Sequence, residues 1–309
     1  MATRFARPLP ARSAAAAEFP LGQELAPIAP ADFSRLRTLI EDRCGIQLPD
    51  SKRPMVEARL RKRLLQLGLS SFNDYWRLLF DPARQSSELV PLTDALTTNK
   101  TDFLREPNHF SLLEQSVLPA LYAAGIGRRT PLRVWSAASS TGEEPYTLAM
   151  VLAQWGRTQR SFDFSIHGTD ISTRVLAQAR AATYSETDIA PLSEAWRRAY
   201  LLRARSATAP APFRIAPELR ARVQFGQLNL MDADYGLPHP FHIIFCRNVL
   251  IYFNRETQEE VARKLAKNLA PSGYLFVGHS ESLQNYDAAL SPIAPSAYRY
   301  KSRAEGSTA

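Results

Sequence analysis

The sequence predicts an α/β protein: a mostly parallel sheet with an antiparallel hairpin edge and a small inserted subdomain, preceded by a small all-α domain. Three observations predict this. From residue 132 onward, short apolar runs alternate with helical stretches, as parallel strands joined by right-handed crossovers do. Residues 30–96 carry helical spacing and no strand signal. The run Leu132–Gly142 sets a buried strand before a turn of small residues and a helix start. Open α/β sheets bind nucleotide-like ligands at such a junction.

Taken in order, residues 1–29 are rich in Ala, Pro and Arg without periodicity and read as a disordered tail. Asp32 reads as the N-cap of a helix carrying Phe33, Leu36, Leu39 and Ile40, with Gly45 as its stop. A second helix is expected from about Ser51 to Leu67, with Val56, Leu60, Leu64 and Leu67 as its buried stripe. Arg59, Lys62 and Arg63 share one flank and are expected to face solvent. Short helices follow near Ser71–Phe80 and Ser87–Leu96. Thr97–Glu106 then bridges to a helix over Pro107–Ala124. Strands are expected at 132–137, 163–169, 222–228, 241–247 and 274–279, with a final hairpin near Ala297–Lys301. Helices are expected at 142–155, 172–182 and 254–270. Residues 184–221, polar, basic and interrupted by prolines, break the rhythm and read as an insertion with a helix and small antiparallel strands. The division is therefore a 1–29 tail, an all-α domain at 30–98, an α/β domain at 99–303 with 184–221 inserted, and a 304–309 tail.

Hydrophobic residues make up 45% and charged residues 22% of the chain, which places it among soluble globular proteins. No apolar run approaches the roughly 18 residues of a membrane span, so no membrane insertion is expected. The apolar block Ala14–Ala17 is too short for a secretory signal. Cys44 and Cys246, far apart in apolar contexts, suggest neither disulfide nor zinc, and a cytoplasmic location is the default. The net charge of +8 favours an anionic partner. No aromatic residues interleave with the basic stripe of the all-α domain, which argues against nucleic acid.

Several residues are positioned to do chemistry. Thr141 reads as a helix N-cap and Glu144 as its capping-box partner, with Pro145 in the first turn. The turn has one glycine, so it is neither a dinucleotide fingerprint nor a P-loop. Asp170 closes the second strand, where a carboxylate can accept from both hydroxyls of a ribose; capping the next helix is its other reading. Arg247 and Asn248 end a buried strand at the edge that faces a ligand crevice. Tyr252, taken alone, reads first as a core aromatic with a satisfied hydroxyl. The five histidines lack metal-ligand spacing, and no Ser-His-Asp or Cys-His set stands out. His279 lies at a strand end.

Four segments together resemble a known family: Thr97-Thr-Asn-Lys-Thr-Asp-Phe-Leu-Arg-Glu106, Trp135-Ser-Ala137 through Tyr146, Phe245-Cys-Arg-Asn-Val-Leu-Ile-Tyr-Phe253 and Gly278-His-Ser-Glu281. They are similar, in the right order, to the chemotaxis-receptor glutamate O-methyltransferases (CheR-type). The resemblance implies a Rossmann-like methyltransferase domain with S-adenosyl-L-methionine as donor and S-adenosyl-L-homocysteine as product. The implied acceptors are glutamate side chains on the cytoplasmic helices of methyl-accepting chemoreceptors, converted to γ-methyl esters for sensory adaptation. Cofactor contacts carried over by position fall on Asn99, Thr101, Arg105, Glu144, Asp170, Asn229, Leu230, Arg247 and Asn248, with Arg105 and Tyr252 nearest the transferred methyl. Glu144 would then face the donor's amino group instead of closing a capping box. Arg59, Lys62 and Arg63 would dock the substrate, and the enzyme would act as a monomer. Leu104 stands where the family usually has phenylalanine, and Ala182 where a glycine often precedes Tyr184. The insertion's Arg203–Phe213 has no glycine, unlike members that dock on a receptor's C-terminal peptide. The alternatives are a methyltransferase acting on RNA or another protein, and a non-catalytic cofactor-binding regulator.

Overall fold

The computed structural model describes residues 26–203, 212–237, 240–283, 286 and 289–301. The expected tails, apart from residues 26–29, and most of the Arg203–Phe213 loop lie outside the described residues. The described residues form two compact units, one running to Arg35 and then over Pro49–Leu96, the other over Leu36–Leu48 and from Thr97 onward. The helix α1 (Pro30–Cys44) begins in the first unit and ends in the second. It starts at Pro30, so Asp32 sits in its first turn and not at its cap, while Gly45, at φ +71°, ends it as expected.

The first unit is all-α: α2 (Arg53–Leu67), α3 (Phe72–Leu79) and α4 (Gln85–Leu96) follow a short 3-10 turn at Asp50–Lys52. Pro54 lies in the first turn of α2, and Gly68, left-handed at φ +68°, closes it by donating to the carbonyls of Leu64 and Leu65. Val56, Leu60 and Leu64 are fully buried; Leu67 is only half-buried. Ser71 caps α3 by accepting from the Asp74 N–H.

The basic flank of α2 departs from expectation. Lys62 is exposed, but Arg63 donates from Nε and Nη2 to both oxygens of buried Glu88 at 2.9 and 2.6 Å. The Tyr75 hydroxyl donates to the same carboxylate at 2.9 Å. Arg59 donates from Nη1 to the Leu96 carbonyl at 2.6 Å, at the end of α4 where backbone acceptors lack intrahelical partners. A buried carboxylate needs a cation, and Arg63 supplies it. Two of the three side chains expected in solvent therefore hold the unit together.

After the end of α1, the second unit continues with α5 (Pro107–Leu112), a π-helical turn at Leu113–Val117 and α6 (Leu118–Ala123). The wide turn comes just before Pro119, which has no N–H to keep the regular ladder. Then follow β1 (Leu132–Ala137), α7 (Glu143–Gly156), β2 (Phe164–Asp170), α8 (Thr173–Ala181), β3 (Thr183–Tyr184), α9 (Glu194–Tyr200), β4 (Leu201–Arg203), β5 (Phe213–Ile215) and α10 (Pro217–Arg220). The chain continues with β6 (Val223–Gln227), β7 (Phe241–Cys246), α11 (Arg255–Lys267), β8 (Leu269–Val277), β9 (Leu290–Ala294) and β10 (Ala297–Tyr300).

The main sheet runs β6-β2-β1-β7-β8-β10-β9. Its first five strands are parallel, and β10 pairs antiparallel with both β8 and β9. The insertion forms the small antiparallel sheet β3-β5-β4. β8 starts five residues before the expected 274, because Leu269 pairs with Phe241 ahead of a register shift. The central strands are buried on both faces, since successive residues i and i+1 serve opposite cores. Val134, Ile166, Ile243, Phe245 and Phe276 face one core, which also takes residues of α5 to α7. Trp135, Ile244, Cys246, Leu275 and Val277 face the other, against α11. Ala182, at φ +52°, takes the left-handed cap position of α8, a conformation glycine adopts without strain. Among the described residues, no helix is long and apolar enough to cross a membrane.

Candidate active site at the carboxyl ends of β1 and β7

The strand order reverses between β1 and β7, and their carboxyl ends open the crevice where such sheets take ligands. The turn after β1 is held in an unusual shape, with Ala138, Ser140 and Gly142 all at positive φ (60°, 49° and 100°). Gly142 and not Thr141 stands at the cap of α7, and a Cβ there would come within 2.8 Å of the Tyr184 hydroxyl. Thr141 instead donates its hydroxyl to Glu143 at 2.6 Å. The expected capping box does not form.

Asp170 pins this turn. Its Oδ2 accepts from the Ser140 N–H and its Oδ1 from the Ser172 N–H, both at 2.9 Å. Ser172, not Asp170, caps α8. The Ser140 hydroxyl donates to the Asn99 carbonyl at 2.8 Å, tying the bridge segment to the same turn. Beside it, the buried Ser139 hydroxyl has no hydrogen-bond partner among the described residues.

Glu144 turns inward from the first turn of α7. Ser136 donates to its Oε1 at 2.7 Å, and Arg247 donates from Nε to its Oε2 at 2.6 Å. The Arg247 side chain is 2% exposed, stacked against Phe110 and Phe245. Its Nη1 donates to the Arg105 carbonyl at 2.8 Å and to His109 Nδ1 at 3.1 Å, and lies 3.3 Å from Glu106 Oε2. A guanidinium can only donate, so His109 Nδ1 is unprotonated and Nε2 donates to Ser296 Oγ at 3.2 Å. Burial and the Arg247 charge together lower the His109 pKa to about 4, keeping it neutral.

Glu106, left-handed at φ +56°, is the second hub. Its Oε1 accepts from Asn248 Nδ2 at 3.1 Å and from the His279 N–H at 3.3 Å. Burial pushes its carboxyl up, but these bonds and the Arg247 charge outweigh burial and hold it below the usual value. Glu281 clamps the same corner from the other side, accepting from the N–H groups of Gly278 (2.6 Å), Asn248 (2.8 Å) and Ile251 (3.2 Å). Burial raises its pKa despite those bonds. The donor atoms of Glu106, His109 and His279 lie within 4.8 Å of one another, as metal ligands do. Arg247 already supplies a cation there and occupies His109 Nδ1.

Arg105 folds back, donating from Nη1 to the Lys100 carbonyl at 2.9 Å. Thr101 is half-buried on the same bridge. Tyr252, half-buried in the 3-10 turn Leu250–Tyr252, accepts at its carbonyl from the Gln47 N–H, and no described residue bonds its hydroxyl. Direct bonds thus join Glu144, Arg247 and the Arg105 backbone, and Glu106 links Asn248 to Arg247. A second set joins Asp170 to Asn99 through Ser140. Asn229 and Leu230 stand apart from both. The Asn229 side chain donates to the Arg43 carbonyl (2.6 Å) and accepts from the Met231 N–H (3.0 Å). The Leu230 carbonyl takes Lys264 Nζ (2.8 Å) and the Tyr235 hydroxyl (3.1 Å). Arg59, Lys62 and Arg63 belong to the all-α unit.

Residues 99–298 match the family model of the CheR methyltransferase SAM-binding domain, and residues 31–97 that of the CheR methyltransferase all-alpha domain. The chain belongs to the CheR methyltransferase family. It is 41% identical to the chemotaxis protein methyltransferase of Klebsiella aerogenes over 277 residues, covering 88% of this chain and 90% of that one. Identity to the Escherichia coli chemotaxis protein methyltransferase is 40% over 262 residues, 84% and 87% of the two chains. Identity to chemotaxis protein methyltransferase 1 of Pseudomonas aeruginosa is 37% over 260 residues, 83% and 92%. This CheR-family enzyme is an S-adenosylmethionine-dependent methyltransferase.

Sequence reasoning quoted Glu106 and Glu281 only as parts of matching blocks and overlooked His109. The one local signal for Glu106 is its place before Pro107, which keeps it out of the helix and lets its carboxylate reach Asn248 and His279.

Proposed function

We propose that this methyltransferase acts in the cytoplasm on glutamate side chains of chemoreceptor helices, forming γ-methyl esters for sensory adaptation. One observation carries the reading. Glu106, Glu143, Glu144, Asp170 and Glu281, the buried or half-buried carboxylates on the segments that end at the crevice, are each engaged by N–H, hydroxyl or guanidinium donors. None is left to act as a general base. An alcohol or amine acceptor would need one, whereas a glutamate is already ionised near neutral pH.

The residues suit the donor. The small-residue turn allows close backbone approach, and the partnerless Ser139 hydroxyl sits within it. Asp170 would take the ribose hydroxyls. Glu144, neutralised in part by Arg247, would face the amino group. Asn99, Thr101, Asn229, Leu230 and Asn248 would complete the contacts. When bound, the donor supplies an electrophilic methyl on a sulfonium. The enzyme's part is alignment at roughly 3–3.5 Å and exclusion of water, because the reacting charges cancel as the methyl moves. Arg105 would orient the carboxylate without gripping it, since a tight pair would stabilise the ground state. Tyr252 would complete the wall. Docking of the acidic receptor helices falls to Lys62 and its exposed neighbour Arg61.

The test is incubation with receptor cytoplasmic fragments and isotopically labelled S-adenosylmethionine, followed by mass spectrometry. Label recovered as glutamate γ-methyl ester supports the reading. Label on RNA or on another residue type overturns it.

A further inference from the structure

The Arg105–Glu106 corner and the Tyr252 turn come from segments some 150 residues apart, yet transfer requires their side chains at fixed separation. We infer that Glu106 is the positioning residue that sets this separation. It rests on the proposed assignment of Arg105 and Tyr252 to the methyl-transfer site.

Three relationships converge on the Glu106 carboxylate. One oxygen accepts from the side-chain amide of Asn248 and from the His279 backbone. The other lies 3.3 Å from Arg247 Nη1, the same nitrogen that holds the Arg105 carbonyl. Glu106 thereby joins the bridge segment to the ends of β7 and β8 in one contact. From Asn248 the connection continues to the Tyr252 turn, because Glu281 binds the N–H groups of Asn248 and Ile251 together. The path from Arg105 to Tyr252 is therefore short: Glu106, Asn248, Glu281, Ile251.

The backbone is bent to allow it. Leu104, Glu106 and Asn248 all sit at φ near +57°, where non-glycine residues are strained. At Gly278 a Cβ would come within 2.8 Å of Glu281 Oε2, so the clamp closes only over a residue without a side chain. A carboxylate is the group that fits at Glu106. It alone can accept from two N–H donors on one oxygen while opposing a guanidinium with the other.

Glu106 is not placed against donor or acceptor, so its loss should misalign the reacting groups rather than remove one. A displacement of about 1 Å costs on the order of 100-fold in rate. Glu106→Gln keeps an acceptor oxygen for Asn248 and His279 and loses the charge toward Arg247. Glu106→Ala loses all three relationships. Methyl transfer to receptor fragments, receptor KM and calorimetric affinity for S-adenosylhomocysteine are measured for both variants beside the wild type. The expected result is kcat lowered about 30–100-fold in Glu106→Ala and recovered at least 5-fold from that level in Glu106→Gln. Homocysteine-product affinity and receptor KM should change less than 5-fold. Wild-type turnover in Glu106→Ala would overturn the inference. So would parallel loss of kcat and product affinity, which would make Glu106 part of the donor site. If Glu106→Ala does not fold, Glu106→Gln decides alone: kcat lowered 3–10-fold at unchanged affinity supports the inference, and any other pattern overturns it. A wild-type enzyme that does not methylate receptor at all would instead overturn the proposed function.

Discussion

Arg247, just past the end of β7, meets Glu144 in the first turn of α7 at 2.6 Å, with both side chains shut away from solvent. Breaking a buried pair leaves its partner charged and unpaired, at a cost of about 3–5 kcal/mol. Arg247→Ala is therefore expected to lower unfolding free energy by that amount in urea titrations. Glu144→Gln, whose amide oxygen still accepts from Ser136 or Arg247, should cost less than half as much. Equal stability of Arg247→Ala and wild type would show that the pair contributes nothing to the fold.

Asp170 has two roles to separate. It braces the turn through the Ser140 and Ser172 N–H groups, and it is proposed to hold the ribose. Asp170→Ala should weaken S-adenosylhomocysteine binding by about 1–3 kcal/mol, the usual cost of leaving buried polar partners unmet. Calorimetry on a folded variant with undiminished affinity would remove Asp170 from the donor site.

Glu143 opens α7, where the helix dipole favours a negative charge, yet burial wins and raises its pKa to about 7. A carboxyl whose folded pKa exceeds its unfolded value of 4.5 binds extra protons in the native state. Its contribution is complete below pH 4.5 and is lost as pH rises through 7. Buried His109 and His242, both lowered to about 4, act in the opposite sense below pH 6.5. The difference between wild type and Glu143→Gln isolates the carboxyl. That difference should shift against the wild type by about 3 kcal/mol between pH 4 and 8. A difference that is flat with pH would refute the raised pKa.

The strands, the crossovers and the hairpin edge were legible because burial on both faces writes short, near-continuous apolar runs into strands such as β1 and β7. The β1–α7 junction was legible as a place but not in its bonds. Thr141 and Glu144 carry the spacing of a capping box, and nothing local tells that Arg247, about 100 residues away, competes for that carboxylate and wins. The same limit applies on α2. Helical periodicity puts Arg63 on an outer flank correctly, but Glu88 on another helix draws it in. Glu106 and Glu281 look like ordinary acidic loop residues until the backbone brings N–H groups around them.

That redistribution on α2 changes how substrate docking is tested. Arg63 is bound to Glu88, and Tyr75 donates to the same carboxylate, its own hydroxyl held well above its usual pKa first by burial and then by that charge. Arg63→Glu would set two carboxylates together in a buried site and is expected to destabilise the all-α unit by about 3–5 kcal/mol. Lost activity in that variant would report folding and not docking. Arg61 and Lys62 are exposed on the same helix and can be reversed without touching the core. Attraction between exposed charges chiefly raises the encounter rate and adds little affinity per pair. Arg61→Glu with Lys62→Glu should raise the receptor KM several-fold at low salt and flatten its salt dependence. Melting temperature and S-adenosylhomocysteine affinity should stay unchanged. Wild-type kinetics for this double variant at both low and high salt would leave these side chains as a solvated face and move receptor docking elsewhere on the enzyme.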